Sequence, residues 1–386
     1  MRILTVLTYY RPHTSGLTIY AERMVRALAH RGHQVTVFTS HFDKTTARDE
    51  FKDGVRIVRS PVAFRLSKGV IMPWFGLQVT GLVWQHDVIH LHLPQFDAPG
   101  VAFRAKAMGK PVVLTYHCDL TMPAGLLNGV ANRVIHFQNA MAGLLTDHIV
   151  TYTQDYADHS PYLSRFKDKL TPILPPVELP PAAEGAIEAF GRAHFVTERR
   201  PVIGMAARFA SEKGVEVLLD ALPMVLEKYP RAQVLFAGQH EHVFAEQLYA
   251  ERLMPRLQKY ESEGHWKFLG VLDPAQMAAY YPNLDALVVP SLNSTEAFGL
   301  VQIEAMMNGV PCVASALPGV RQPVLTTGMG KVVPIGDAAA LAEALLDIFA
   351  EPDRYRGDPL EIARPYNPDS VAAEYEGLFE RLLAKK

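Results

Sequence analysis

Cysteine is almost absent. Two thiols, Cys118 and Cys312, are all that 386 residues contain, which excludes a disulfide framework and leaves no metal-ligand spacing. A reducing cytosol is the simplest home for such a chain. No apolar run reaches the roughly 20 residues that span a bilayer; the best candidate, GVIMPWFGLQVTGLVW, is interrupted by Pro73. The opening MRILTVLTYY carries one basic residue and no small-residue cleavage site, so it reads as a first β-strand rather than an export signal. A Gly-x-Gly-x-x-Gly fingerprint is missing, which argues against a nicotinamide enzyme. A large basic excess is missing too: residues 1–180 hold 19 Lys and Arg against 13 Asp and Glu, and residues 181–386 hold 19 against 27. That surplus is too small for a general nucleic-acid binder, and no nucleic-acid motif accompanies it.

One local absence is more informative. From Gly54 to His86 there is no acidic residue, yet the stretch holds Arg56, Arg59, Arg65 and Lys68 beside Phe64, Trp74, Phe75 and Trp84. Basic side chains among interfacial aromatics suit peripheral contact with an anionic membrane. A core helix with a few exposed basic residues is the alternative reading.

The length exceeds the roughly 250–300 residues at which a single core stops growing, so two domains are expected. Strand and helix signals alternate along the whole chain, which favours α/β architecture with doubly wound parallel sheets. RILTVLTY, HQVTVFTS, DVIHLHL, KPVVLTYH and DHIVTYT read as strands of a first domain over 1–180. The proline cluster TPILPPVELPP reads as a stiff linker. A second domain over 181–365 follows, with strands PVIGMAA, RAQVLFAG, HWKFLG, DALVVP, PCVAS and GKVVPI and a long helix over EHVFAEQLYAERLMPRLQKYE. A last helical segment, 366–386, is expected to pack back on the first domain. Two such sheets joined by a hinge would face each other across a central cleft, with ligands outside the carboxyl ends of the strands.

Polar residues collect at those ends. PSLNSTEAFGLVQIEAMMNG, from Pro290 to Gly309, follows a strand and opens a helix. It places Glu296 in the loop and Glu304 about two turns into the helix, with orphan backbone N–H groups near Phe298 to Val301 able to face a diphosphate. GMAARFASEKG supplies Arg208 and Lys213 before another helix start; Arg can fork onto two phosphate oxygens and Lys acts as a point charge. After the first strand, His13, Thr14, Ser15 and Gly16 form a small-residue loop suited to close approach of a phosphate or sugar. TYHCDL puts His117 and Asp119 at another strand end, as hydrogen-bonding or acid/base groups. His90 and His92 read as strand residues, since no nearby carboxylate completes a ligand set. Each motif alone also fits an ordinary cap, turn or structural histidine.

Taken together, the loop after the first strand, His117, the Arg-x4-Lys-Gly run and EAFGLVQIEAMMNGVPCVAS resemble the retaining glycosyltransferases of family 4. The resemblance implies the GT-B fold of two Rossmann-like domains, no cofactor, no metal, and a nucleotide-diphosphate sugar as donor. It implies that Arg208 and Lys213 hold the donor diphosphate, that Glu304 binds ribose hydroxyls, and that Glu296 lies near the transferred sugar. Backbone at Phe298, Gly299 and Leu300 would contact sugar and phosphate, with His117 at the reaction centre and Gly16 on the phosphate or acceptor side. No Asp-x-Asp triplet, the mark of metal-dependent transferases of the other common fold, occurs in the chain. Three positions depart from the family pattern: Ser15 precedes Gly16 where two glycines are common, Ala297 replaces glycine, and Gln322 stands where an acid is frequent. The expected reaction moves a hexose from a UDP- or GDP-linked donor to a hydroxyl acceptor, a glycolipid or cell-envelope precursor, in the cytoplasm or on the inner face of the membrane. Another GT-B activity (epimerase or phosphorylase), a non-catalytic two-domain binding protein and an oxidoreductase remain the competing readings.

Overall fold

The computed structural model describes residues 1–66, 69–120, 126–243 and 246–385. The chain divides into two compact units, Met1–Val177 with Pro365–Lys386, and Glu178–Arg364. The division between Val177 and Glu178 falls inside the proline-rich run.

In chain order the first unit contains β1 (Arg2–Val6), α1 (Gly16–His30), β2 (Gln34–His41), β3 (Asp49–Lys52) and β4 (Val55–Pro61). A small hairpin, β5 (Phe64–Leu66) and β6 (Gly69–Ile71), precedes α2 (Phe75–Gln85). Then come β7 (Val88–Leu93), α3 (Ala98–Ala107), β8 (Val112–Tyr116), α4 (Leu126–Leu145), β9 (His148–Thr151), α5 (Gln154–His159) and β10 (Leu170–Pro172). The main sheet has the order β10-β9-β8-β7-β1-β2-β4-β3, parallel except for β3 against β4. The central strands read as continuous buried apolar runs, as strands covered on both faces must.

In the second unit α6 (Ala186–Ala193) leads into β11 (Val202–Ala206), α7 (Val215–Lys228), β12 (Gln233–Ala237), α8 (Gln247–Ser262), β13 (Trp266–Gly270) and α9 (Pro274–Tyr280). It continues with β14 (Ala286–Val289), α10 (Leu300–Met306), β15 (Cys312–Ser315), α11 (Gln322–Thr327), β16 (Gly330–Val333), α12 (Ala338–Ala350) and α13 (Pro359–Ala363). Its six parallel strands run β13-β12-β11-β14-β15-β16. In both sheets the chain winds outward from a central strand, then returns to wind the other way. The switch lies between β1 and β7 in the first and between β11 and β14 in the second, where open α/β sheets leave a crevice for ligands.

The last helix, α14 (Pro368–Leu383), belongs to the first unit and lies along α1. Its buried Tyr375 bonds both the Tyr20 hydroxyl of α1 and the Thr115 hydroxyl of β8, each at 2.7 Å. Replacing Tyr375 by Phe strips a shared partner from two buried hydroxyls, so a loss of about 1–3 kcal/mol is expected in urea unfolding.

Three sequence expectations need correction. The acid-free stretch 54–86 is no single surface: β4 pairs with β3, whose acids take up its cations. Arg56 bonds Asp49 at 2.6 Å, and Arg59 is buried against Glu50, also donating to the Ala47 carbonyl at 2.7 Å. Arg65 donates to the Phe42 carbonyl, Phe75 is buried, and Lys68 lies outside the described residues. The long helix anticipated from 241 begins only at Gln247, and residues 244–245 lie outside the described residues. Glu304 is the fifth residue of the seven-residue α10, hence little more than one turn from its start.

Candidate active site

The loops after β11 and β14 meet at the switch point of the second sheet. After β11 the chain turns through Arg208, and Phe209 buries its ring among Phe236, Tyr249 and Phe268. A tight turn, Ser211–Lys213, is fixed from outside by the Glu246 carboxylate, which accepts from the Ser211 N–H at 3.0 Å. Gly214, with φ +68°, then opens α7; a Cβ there would stand 2.1 Å from the Pro290 carbonyl oxygen. That close approach, with the Leu292 N–H donating to the Glu212 carbonyl at 2.9 Å, clips the two loops together.

On this frame the Lys213 ammonium reaches the Glu296 carboxylate at 2.6 Å, both side chains about one-fifth exposed. Arg208 bonds Glu212 at 2.9 Å and keeps its guanidinium partly exposed. Downstream of Glu296, Ala297 and Phe298 are buried. Gly299 adopts φ +78° as the cap of α10, and Leu300 is the first helical residue. Gln302, buried in that helix, donates to the carbonyls of Phe298 at 2.8 Å and Val320 at 2.9 Å, holding the turn in place. Glu304 is buried and its Oε2 accepts from the Tyr281 hydroxyl at 2.7 Å. Seven of the residues singled out from the sequence therefore stand on two adjacent loops and the helix that follows the second: Arg208, Lys213, Glu296, Phe298 and Gly299 on the loops, Leu300 and Glu304 in α10.

The remaining two belong to the first unit. Ser15 caps α1 by accepting from the Thr18 N–H at 3.2 Å, and Gly16 begins the helix with space around it, no atom lying within 4 Å of an added Cβ. His117 follows β8 but points inward. Its Nε2 pairs with His92 Nδ1 at 2.8 Å and its Nδ1 with the Tyr152 hydroxyl, so both ring nitrogens are engaged. Asp119 likewise serves the fold: its carboxylate accepts from the hydroxyls of Tyr116, Ser160 and Tyr156 at 2.7, 2.9 and 3.0 Å. Among the described residues no cluster of three or more His, Cys, Asp or Glu is placed to hold a metal ion.

The N-terminal part, residues 14–179, matches the model of Glycosyltransferase Family 4, and residues 187–359 match that of Glycosyl transferases group 1. The chain belongs to the family 4 glycosyltransferases. It is 28% identical over 382 residues to a glycogen synthase of Mycobacterium tuberculosis, covering 91% of this chain and 87% of that one. It is 26% identical over 390 residues to a phosphatidyl-myo-inositol mannosyltransferase of Mycobacterium leprae, covering 98% and 96%. Among solved structures, Anabaena HepE in complex with UDP superposes with a TM-score of 0.77 at 18% identity, covering 99% of this chain and all of that one. The fold is GT-B, and the protein is a glycosyltransferase that uses a nucleotide sugar.

Several residues that hold these loops and helices in place went unnoticed in the sequence. Glu246, Tyr281 and Gln302 act through contacts with segments 18 to 35 residues away, and none carries a local motif. In the first unit, burial pushes His90 and His117 down to about 3, with His90 adding to the effect on His117. Burial also depresses His92, with His90 and His117 adding to it. These rings stay neutral in the folded unit while an unfolded chain protonates them near pH 6.5. Between those limits the unfolded state binds more protons, so stability is complete above about pH 6.5 and falls as pH drops towards 3, by up to about 1.4 kcal/mol per pH unit for each ring. Urea midpoints at pH 7 and pH 5 should differ accordingly; equal midpoints would contradict the burial of these rings.

Proposed function

We propose that this glycosyltransferase moves a hexose, with retention of configuration, from a UDP- or GDP-linked donor to a hydroxyl acceptor, a glycolipid or cell-envelope glycan precursor. One observation carries the reading: two cations, Arg208 and Lys213, stand on a loop clipped, at the switch point of the second sheet, to the loop that leads into α10, with Lys213 paired to Glu296. In the reaction the bond from C1 to the phosphate oxygen breaks while the bond from C1 to the acceptor oxygen forms on the same face. The acceptor proton passes to the departing phosphate. Negative charge grows on that phosphate, and fixed donors aimed where charge develops are the strongest catalytic device available to the site. Arg208 and Lys213 supply that charge from the protein, so the reaction is read as metal-independent.

Glu296, ion-paired with Lys213, would lie against the transferred sugar. Glu304, its Oε2 already set by Tyr281, would accept from the ribose hydroxyls. His117 and Gly16 are assigned to the reaction centre and to the phosphate or acceptor side; the engaged ring of His117 fits a positioning role better than proton transfer. The relatives' names, a glycogen synthase and a phosphatidyl-myo-inositol mannosyltransferase, support hexose donors and a lipid-bearing acceptor. The Anabaena structures with UDP and with UDP-glucose support a uridine donor. The enzyme would act in the cytoplasm or on the inner face of the membrane.

A panel of nucleotide sugars tests this. One donor should raise the melting temperature, since a ligand at a hundredfold excess over Kd adds about 2.7 kcal/mol, and should yield product with the donor's anomeric configuration by NMR. Inverted product, or turnover abolished by EDTA and restored by a divalent ion, would overturn the reading.

A further inference from the structure

Three histidines meet on one face of the first sheet. His90 and His92 lie two apart on β7, and His117 follows the neighbouring β8, so all three rings turn to the side where Tyr20 of α1 and Tyr375 of α14 lie. The rings of His92 and His117 stack at 5.1 Å, and Tyr20 meets His117 edge-on at 4.9 Å. All three histidines are buried, and that burial keeps them neutral. A neutral imidazole has one N–H and one bare nitrogen. His117 has both in use, Nδ1 with the Tyr152 hydroxyl and Nε2 with His92 Nδ1, so each bond dictates the other. The phenol O–H is the more acidic group and takes the donor role. With Tyr152 donating to Nδ1, the His117 proton sits on Nε2 and is donated to His92 Nδ1.

As structure alone this arrangement is costly. His92 Nε2 has no hydrogen-bond partner among the described residues, and a buried polar nitrogen without one costs stability that an aliphatic side chain would not. What His92 contributes is a fixed acceptor for His117. The pair is braced from behind: His90, its ring 4.3 Å from that of His92, bonds the Thr115 hydroxyl at 2.8 Å, and Thr115 bonds Tyr375 of α14 at 2.7 Å. We propose that Tyr152 and His92 are positioning residues for glycosyl transfer: they fix the His117 ring in one orientation and one tautomer, and with it the end of β8. The inference rests on the placement of His117 at the reaction centre. Both residues are buried and act through His117, whose backbone N–H is itself tied to the Leu93 carbonyl at 3.0 Å. A displacement of about 1 Å at such a strand end can cost up to about 10²-fold in rate.

Nitrogen NMR of the wild-type protein labelled at histidine tests the tautomer. The His117 ring signals, assigned by their loss in His117→Asn, should show a proton on Nε2 and a bare Nδ1, unchanged between about pH 6 and about pH 8. A proton on Nδ1, or a mixture of the two forms, would overturn the proposal. Turnover tests the positioning role. Tyr152→Phe removes the donor and little volume; it should lower kcat about tenfold and leave the donor KM within about twofold, since the donor is read as held by Arg208, Lys213 and α10. His92→Leu should lower kcat by a similar factor. His92→Asn, whose side-chain oxygen can stand in for Nδ1 as acceptor, should recover most of the loss. A merely structural role would shift the melting temperature and leave kcat of the folded enzyme unchanged, and that result in Tyr152→Phe and His92→Leu would overturn the proposal while the glycosyl-transfer reading stands. Full turnover in His117→Ala would overturn the reaction-centre placement of His117 as well.

Discussion

Replacing Lys213 by alanine should lower kcat by roughly 10²–10³, the cost of removing one preorganised donor from a site where negative charge develops. The Nζ stands 2.6 Å from Glu296 on a turn pinned by Glu246 and by the buried Phe209 ring, so the cation is in place before the donor arrives. Its loss removes a positive charge and also leaves the Glu296 carboxylate facing the diphosphate without its partner. A second substitution separates these effects. If Lys213 only neutralises Glu296, adding Glu296→Ala to Lys213→Ala should restore turnover; if Lys213 acts on the phosphate, the double variant stays as slow as the single one. The account expects the second result. Lys213→Arg should not rescue, because a broad planar guanidinium cannot occupy the position of a compact ammonium between two loops. Arg208→Ala should fall in the same range, its guanidinium being the other protein cation of this pair of loops.

Gly214→Ala should be severely damaging for a single added methyl. The residue has φ +68°, and its new Cβ would meet the Pro290 carbonyl oxygen at 2.1 Å. That oxygen is backbone, so no rotamer change relieves the clash, and the loops must separate. Separation breaks the Leu292 to Glu212 hydrogen bond and pulls Lys213 from Glu296. The left-handed conformation costs about 1–2 kcal/mol for a residue with a Cβ, and overpacking about 1–3 kcal/mol more. A stability loss of about 2–5 kcal/mol, with turnover at or below that of Lys213→Ala, should appear in urea unfolding and steady-state assays. Gly16→Ala provides the contrast: it meets nothing within 4 Å. Its melting temperature should hold while turnover falls, if the open space at the α1 start serves a ligand.

Much of this was readable in advance, for a physical reason. The central strands are buried on both faces, so VIHLHL and VLFA stand out as apolar runs, and polar residues collect in the loops at strand ends. Arg208, Lys213, Glu296 and Glu304 were found through that placement. What stayed hidden depends on partners distant in sequence. Asp49–Lys52 and Phe64–Ile71 gave no strand pattern because β3 is a polar edge strand and the hairpin is short; the β3 acids Asp49 and Glu50 pair with Arg56 and Arg59, two of the four cations that made 54–86 look like a basic surface. The strand-end position of His117 suggested access, but Tyr152 and His92 close both ring nitrogens, from 35 and 25 residues away. The start of α10 was placed well, yet the depth of Glu304 was overestimated, since it is the fifth residue from Leu300 and the 3.6-residue turn places it little more than one turn in.

The most direct measurement is a crystal structure with the nucleotide sugar or its nucleoside diphosphate bound. The diphosphate oxygens should lie within hydrogen-bonding distance of the Arg208 guanidinium, the Lys213 ammonium and the backbone N–H groups at Gly299–Leu300, with the ribose hydroxyls on Glu304. A diphosphate bound away from the loops that follow β11 and β14, with Arg208 and Lys213 still paired only to Glu212 and Glu296, would contradict the account.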